Sequence, residues 1–321
     1  MKLYPLKFKP DYKERVWGGR RFSKNKNKNP VGEVWTLSAV EDNLSIVSNG
    51  YLKDNNIGEL VEIYMGDLVG ESVYDKFGIE LPLLFKIIDT GDRLSLQVHP
   101  DDETSLKRHN AYGKTEMWYV MDAEPDSSIY VGFNKTVDRD EYRRHMKNKS
   151  PDKILNIENA KPGDVFFLPP GRIHAIGKGL LIAEIQQTSD ITYRIYDWGR
   201  EDNPNDDREI HTELAEDVID YEFHESYKTV YKAQKNAPVE LVSCKYFTTN
   251  LLRLENKIER DLSEIDSFVV YMCAKGRAEI ICENGSKETI AEYETVMIPA
   301  EIPSIEIIPC NEAELLEIYV K

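Results

Sequence analysis

The sequence predicts a mainly β protein built in two blocks with a few peripheral helices, and three observations carry that expectation. Apolar and aromatic runs of strand length recur between Gly, Pro and Asn breaks. A strand-then-proline pattern in the first block returns in the second. Helical periodicity is confined to three short patches. Many short β-rich runs at such spacing read as a sandwich or a closed barrel.

The clearest runs are LPLLFKIID (81–89), RLSLQVHP (93–100), EMWYVMD (116–122), SSIYVGF (127–133), DVFFLPP (164–170) and GLLIAEIQQ (179–187). The helical patches lie near 57–77, 138–147 and 211–221. In the second of these, DRDEYRRHMK, acids come early and bases late, which complements the helix dipole. The polar stretch 199–213, GREDNPNDDREIHTE, lacks apolar periodicity and reads as a surface loop. A linker-like KAQKNAP (232–238) then opens a second β-rich block, which suggests domain limits of 1–232 and 233–321. Within that block, FVVYMCAKGRAEIIC (268–282) reads as a hairpin turning at Lys275-Gly276.

The two blocks echo each other. PGDVFFLPPGRIHAI in the first aligns with YETVMIPAEIPSIEI in the second, so that Pro169 matches Pro299 and His174 falls opposite Ser304. No histidine follows His224. A metal site held by histidine is therefore expected in the first block alone.

Charge narrows the partners. Among 321 residues, 41 Lys and Arg face 57 Asp and Glu, a formal charge of −16. So acidic a surface gains nothing from releasing phosphate counterions, which argues against nucleic acid and anionic membranes. A few converging bases can still hold one small phosphate. The segment MKLYPLKFKP has no apolar run after its lysines, and no stretch approaches membrane-spanning length, so neither a signal peptide nor a span is expected. Cys244, Cys273, Cys282 and Cys310 lack CxxC spacing and read as free thiols of a cytoplasmic protein. The oligomeric state is left open.

The chemistry-bearing residues start with Gln97 and His99 in SLQVHP. Two apart on a strand, they point to one face, where both can reach one ion. Glu116 opens a following strand, and His174 comes after two prolines and a glycine. Two imidazoles, a carboxylate and an amide oxygen suit Zn²⁺, with Fe²⁺, Co²⁺ or Mn²⁺ able to substitute. His109, His145, His211 and His224 lie in charged or helix-flanking positions and read as surface or capping residues.

The segment Gly163–His174 has the form G-x5-P-x-G-x2-H, which resembles the second motif of the cupin superfamily. Over nearly the whole chain the sequence resembles the short bacterial form of the type I mannose-6-phosphate isomerase family. The resemblance rests on RVWGG (15–19), GEVW (32–35), LLFKIID (83–89), LSLQVHP (94–100), GKTEMWYV (113–120), PPGRIHAIG (169–177) and SDITYRIYDWGR (189–200), seven motifs in the expected order. It implies two jelly-roll (cupin) barrels with one active site in the first. It also implies one Zn²⁺ per chain on Gln97, His99, Glu116 and His174. The family's arginine falls on Arg194, its lysine on Lys114, and its pocket residues on Trp17, Glu33, Lys86, Ser95 and Asp190.

The implied reaction interconverts mannose 6-phosphate and fructose 6-phosphate through an enediol. Arg194 is then a cation for the developing oxyanion or for the phosphate, and Lys114, Glu33 and Asp190 are candidates for the proton carrier. Trp17, Lys86 and Ser95 are candidates for holding the sugar phosphate. For Trp17 the alternative is core packing, and for Lys86 a solvated lysine on an edge strand. Two other activities fit part of the pattern: a cupin oxygenase holding Fe²⁺ on two histidines and a carboxylate, and a non-catalytic sugar-binding cupin.

Overall fold

The computed structural model describes residues 2–23, 29–203 and 208–320. Antiparallel strands dominate it, arranged in three sheets. By contact the chain falls into two compact units: Tyr12–Val34 with Ile87–Thr229, and Met1–Asp11 with Trp35–Lys86 and Val230–Lys321. This grouping interleaves along the chain, whereas the limits drawn from the sequence, 1–232 and 233–321, are consecutive. The cause is pairing between segments far apart in the chain. The strand Leu6–Lys7 joins the edge of the C-terminal sheet beside Thr295–Ile298, and Asp266 caps a helix from the segment 57–77.

The unit holding Ile87–Thr229 carries a five-stranded sheet in the order Tyr193–Tyr196, Leu96–Val98, His174–Ile176, Ser128–Phe133, Leu155–Asn159. A second sheet runs Asp11–Gly19, Val31–Leu37, Leu83–Asp89, Leu180–Gln187, Glu116–Ala123, Val165–Leu168. Alternation decides what each strand buries. Ile129, Val131 and Ile176 of the first sheet meet Trp118, Val120, Leu168 and Ile182 of the second in one apolar cluster. The opposite faces of the same strands put Leu96, Val98, Ala175 and Tyr193 under the helices Arg139–Lys147 and Thr212–Val218, through Tyr142 and Ala215. Each Val, Leu or Ile among them, fully buried, contributes about 1.5–3 kcal/mol. In the polar stretch 199–213, residues 204–207 lie outside the described residues.

Six of the expected strand runs appear with ends shifted by a few residues. The patch 57–77 is helical over Ile57–Val69, broken by a kink at Met65 (φ +46), and again over Glu71–Phe77. Gly70 sits between them at φ +96, and a Cβ there would meet the Asp266 carbonyl oxygen at 2.4 Å. The helix Asp102–His109 was not anticipated. Asp101 caps it by accepting from the Thr104 N–H, and its mostly polar sequence shows little apolar period.

The hairpin expected at Lys275-Gly276 is not formed. Val269–Cys282 is one strand of 14 residues, paired along its length with Ser304–Tyr319. Gly276, at φ +79, makes a bulge with register shifts on either side, so the chain bends instead of reversing. The reversal comes later, at Asn284-Gly285, where the strand Lys287–Ala291 folds back on the same strand.

This C-terminal sheet encloses an apolar cluster that includes Leu252, Tyr271, Ile280, Val296, Ile307 and Leu315. It also buries one ionic group. Glu317 is fully buried and accepts from Arg260 Nε at 2.8 Å, Arg260 Nη2 at 2.9 Å, Tyr271 OH at 2.7 Å and Asn250 Nδ2 at 2.9 Å. Removing one member of such a group leaves the rest buried and uncompensated, at a cost of about 3–5 kcal/mol. Glu317→Leu should lose stability on that scale in urea melts, and Glu317→Leu with Arg260→Met should recover much of it. A single variant as stable as the parent would show the group to be dispensable.

Candidate metal centre

Strand register assembles the site. In the five-stranded sheet, Gln97 stands directly across from His174 on one side and from Arg194 on the other. Directly opposed residues share a face with Cβ atoms about 5 Å apart. This is the face that His174 shares with Val131 and Ile176, so the three polar residues sit at the edge of the interior apolar cluster. In the facing sheet Glu116 stands at the end of a strand whose next same-face residues, Trp118 and Val120, belong to that cluster.

His99, Glu116 and His174 are all buried, and their ligand atoms lie within 4.8 Å of one another. Among the described residues this is the one such grouping of three. His174 Nδ1 lies 2.8 Å from the Arg172 carbonyl oxygen, and His99 Nδ1 lies 3.0 Å from that of Ile191. A carbonyl can only accept, so both Nδ1 atoms carry the proton and both Nε2 atoms offer a lone pair. Those lone pairs converge on the carboxylate: His174 Nε2 is 3.3 Å from Glu116 Oε1, and His99 Nε2 is 3.6 Å from Oε2. Lys114 Nζ lies 3.1 Å from His99 Nε2 and against Glu116 Oε2.

Burial pushes the His174 imidazole down to about 3, with its carbonyl partner pulling the other way. It is therefore neutral at ordinary pH, as a ligand must be. His174 Nε2 is buried without a hydrogen-bond partner. Two imidazole nitrogens and a carboxylate oxygen, second nitrogens tied to backbone carbonyls, form a donor set that fits a divalent transition metal.

Neighbouring loops fix this geometry. The Gly171 N–H donates to the His99 carbonyl at 2.9 Å, which ties the turn before His174 to the end of the Gln97 strand. Asp102 Oδ1 accepts from the Gly113 N–H at 3.1 Å and from Gln187 Nε2 at 2.9 Å. Gln187 Oε1 accepts from the Thr115 N–H at 2.9 Å, so Lys114 is held from both sides. A Cβ on Gly113 would come within 2.6 Å of the Asp101 and Asp102 backbone, which explains glycine there.

Three polar residues went unnoticed in the sequence. Trp118 Nε1 donates to Glu184 Oε2 at 2.8 Å, and its ring meets His174 edge-on at 5.2 Å. Gln186, fully buried, stands across from Glu116. The readable signal was three polar residues, Glu184, Gln186 and Gln187, in an otherwise apolar strand.

The surroundings of the remaining candidates differ. Trp17 is 5% exposed and packs in the interior cluster, over Gly32. Glu33 accepts from Arg15 Nε at 3.0 Å and Nη2 at 3.3 Å. Ser95 is buried just before the Gln97 strand, and Asp190 is exposed. Arg194 Nη1 donates to the Glu209 carbonyl at 2.8 Å. Lys86 belongs to the other compact unit; at 8% exposure it is no solvated edge lysine, and its ammonium lies 5.2 Å from the Trp35 ring. Of the other histidines, His109 meets Tyr193 OH at 2.7 Å, His145 meets Ser150 Oγ at 3.1 Å, and His224 meets Asp220 at 2.7 Å. None joins the metal grouping. Ser304, opposite His174 in the echo, lies 3.2 Å from a Glu283 oxygen.

Comparisons with known proteins point to one family. The family model described as "Phosphomannose isomerase type I, catalytic domain" matches residues 6–136. The chain is 35% identical over 287 residues to mannose-6-phosphate isomerase ManA of Bacillus subtilis, covering 88% of this chain and 89% of that protein. It is 37% identical over 219 residues to the mannose-6-phosphate isomerase of Streptococcus mutans, 67% of each chain. The crystal structure of the mannose 6-phosphate isomerase from Bacillus subtilis superimposes with a TM-score of 0.86 at 27% identity, covering 98% of this chain and 99% of that one.

If the triad holds a divalent ion, Zn²⁺ added to chelated protein stabilises it, by about 4 kcal/mol at a thousandfold excess over the dissociation constant. Thermal melts should show that rise, His174→Ala should abolish it, and His224→Ala should keep it. An equal rise in His174→Ala would place the ion elsewhere.

Proposed function

The chain belongs to the type I phosphomannose isomerase family, and from that premise we propose that it interconverts mannose 6-phosphate and fructose 6-phosphate at the His99–Glu116–His174 centre. The observation that carries the proposal is the pair of buried Nε2 lone pairs aimed at one carboxylate, with the Lys114 ammonium against His99 Nε2 and Glu116 Oε2.

The reaction moves a proton from C2 of the aldose to C1, turns the C1 carbonyl into a hydroxyl and leaves a carbonyl at C2. An enediol lies between, and negative charge gathers on oxygen as it forms. A dication bound by His99, Glu116, His174 and Gln97 supplies Lewis-acid polarisation of the sugar oxygens. Our reading makes that ion Zn²⁺, one per chain, on the chemistry of the donor set.

The chain's own groups do the rest. Of the candidate proton carriers, Lys114 alone lies against the ligand atoms, whereas Glu33 is occupied by Arg15 and Asp190 is exposed. Lys114 is therefore our choice to carry the proton between C2 and C1. Arg194, across the strand from Gln97, is permanently charged and is assigned to the developing oxyanion or the phosphate. Ser95, buried just before the Gln97 strand, is assigned to holding the sugar phosphate. Anchoring a phosphate far from the reacting carbons turns remote binding into alignment of C1 and C2. Among the described residues no helix is long and apolar enough to cross a membrane.

In a coupled assay of fructose 6-phosphate formation, activity should vanish on chelation and return with Zn²⁺. Free mannose should be converted far more slowly than its phosphate, and comparable kcat/KM on the two would refute the anchoring role. Lys114→Met should keep its metal and lose about 10²–10⁴-fold in kcat; a variant retaining wild-type kcat would pass the proton role to another residue.

A further inference from the structure

We propose that His211 is a positioning residue that sets the place of Arg194, an inference that rests on the reading of Arg194 given above. The strand Tyr193–Tyr196 lies at the edge of its sheet, with Leu96–Val98 as its neighbour on one side. On its outer side the backbone of Arg194 is closed by one residue. The His211 N–H donates to the Arg194 carbonyl at 2.7 Å, and the Arg194 N–H donates to His211 Nδ1 at 3.1 Å. The same segment reaches the guanidinium, through Nη1 to the Glu209 carbonyl at 2.8 Å. Backbone and side chain of Arg194 are thus both held by residues 209–211.

That segment is itself anchored. Asp197, fully buried, accepts from Arg208 Nη2 at 3.2 Å and from Arg200 Nη2 at 2.8 Å, and Arg208 Nε also donates to it. One carboxylate therefore pins the described residues on both sides of 204–207. The two arginines also hold the Asp197 carboxyl below its ordinary range despite its burial.

The choice of histidine points the same way. His211 occupies the N-cap position of the helix Thr212–Val218, where Ser, Asp or Asn would normally accept from the first turn. Its imidazole makes no capping bond and turns to Arg194 instead. Accepting there requires a neutral ring protonated at Nε2. Burial pushes the ring below its ordinary value, the Arg194 and His109 charges add to that, and the Glu209 carboxylate, 3.8 Å from Nε2, opposes it. Tyr193 packs beside it with ring centroids 6.2 Å apart. A local cap is given up for a bond to the strand that carries the arginine.

The test compares His211→Ala in the full chain and in an Arg194→Lys background, with metal content and melting temperature recorded for each. His211→Ala should keep its metal and lose about 10- to 100-fold in kcat/KM, the scale of a misplaced functional group. The loss should fall in the same parameter, kcat or KM, that Arg194→Lys damages. In the Arg194→Lys background the same substitution should cost less than about threefold, since coupled residues are not additive. His211→Asn, whose Oδ1 can stand where Nδ1 stands, should recover most of the loss. Equal losses in both backgrounds, or a lowered melting temperature with unchanged kinetics, would overturn the inference. An Arg194→Lys enzyme with wild-type kcat/KM would instead sink the reading of Arg194 itself.

Discussion

Two hydrogen bonds to backbone carbonyls decide what the first barrel can do: His99 Nδ1 to Ile191 and His174 Nδ1 to Arg172. Each fixes a tautomer, and each fixes the direction of the remaining lone pair. Were either ring to turn over, an N–H would face Glu116 and the grouping would be a hydrogen-bonded cluster with nothing to offer an ion. The carbonyls lie in loops tied to the sheet, one in the turn after Pro169-Pro170 and one just before the strand Tyr193–Tyr196. Ligand orientation is therefore a property of the backbone, which side-chain motion does not relax.

The fold supplies these carbonyls at the ends of strands whose middles are apolar. Along Glu116–Ala123 the interior face begins with a carboxylate and continues with Trp118 and Val120. Along His174–Ile176 it begins with an imidazole and continues with isoleucine. The site thus rests on a dry floor, which raises the electrostatic value of every charge above it and holds His174 neutral. The same floor makes an unpaired polar atom costly, so Trp118 finds Glu184, and Gln186 Nε2 finds the Gln187 and Ser189 carbonyls at 2.8 and 2.7 Å.

How much of this was legible depended on whether the signal was local. Apolar and aromatic runs of strand length and the G-x5-P-x-G-x2-H segment could be read directly, because each is carried by one strand or one turn. Gly276 was misread because a glycine in a strand serves a reversal or a bulge equally well. The pairing partner decides between them, and it lies some thirty residues later, in Ser304–Tyr319. Asn284-Gly285 was the stronger hairpin signal and was passed over. His211 was read as a surface or capping residue, and it does stand at the cap position. Its bond to Arg194 depends on how a polar segment folds back on an edge strand, which no periodicity records.

The two barrels treat buried polarity in opposite ways, and the contrast bears on function. In the C-terminal sheet Glu317 takes four hydrogen bonds from three partners, and each partner reaches it with a donor. That group is closed: it balances its own charge and needs nothing from outside. In the first barrel His99, Glu116 and His174 bring acceptor atoms toward one another, with the Lys114 ammonium against His99 Nε2 and Glu116 Oε2. Lone pairs facing lone pairs in an apolar interior repel, and a cation between them relieves that repulsion. Converging acceptors of this kind form a place suited to a cation.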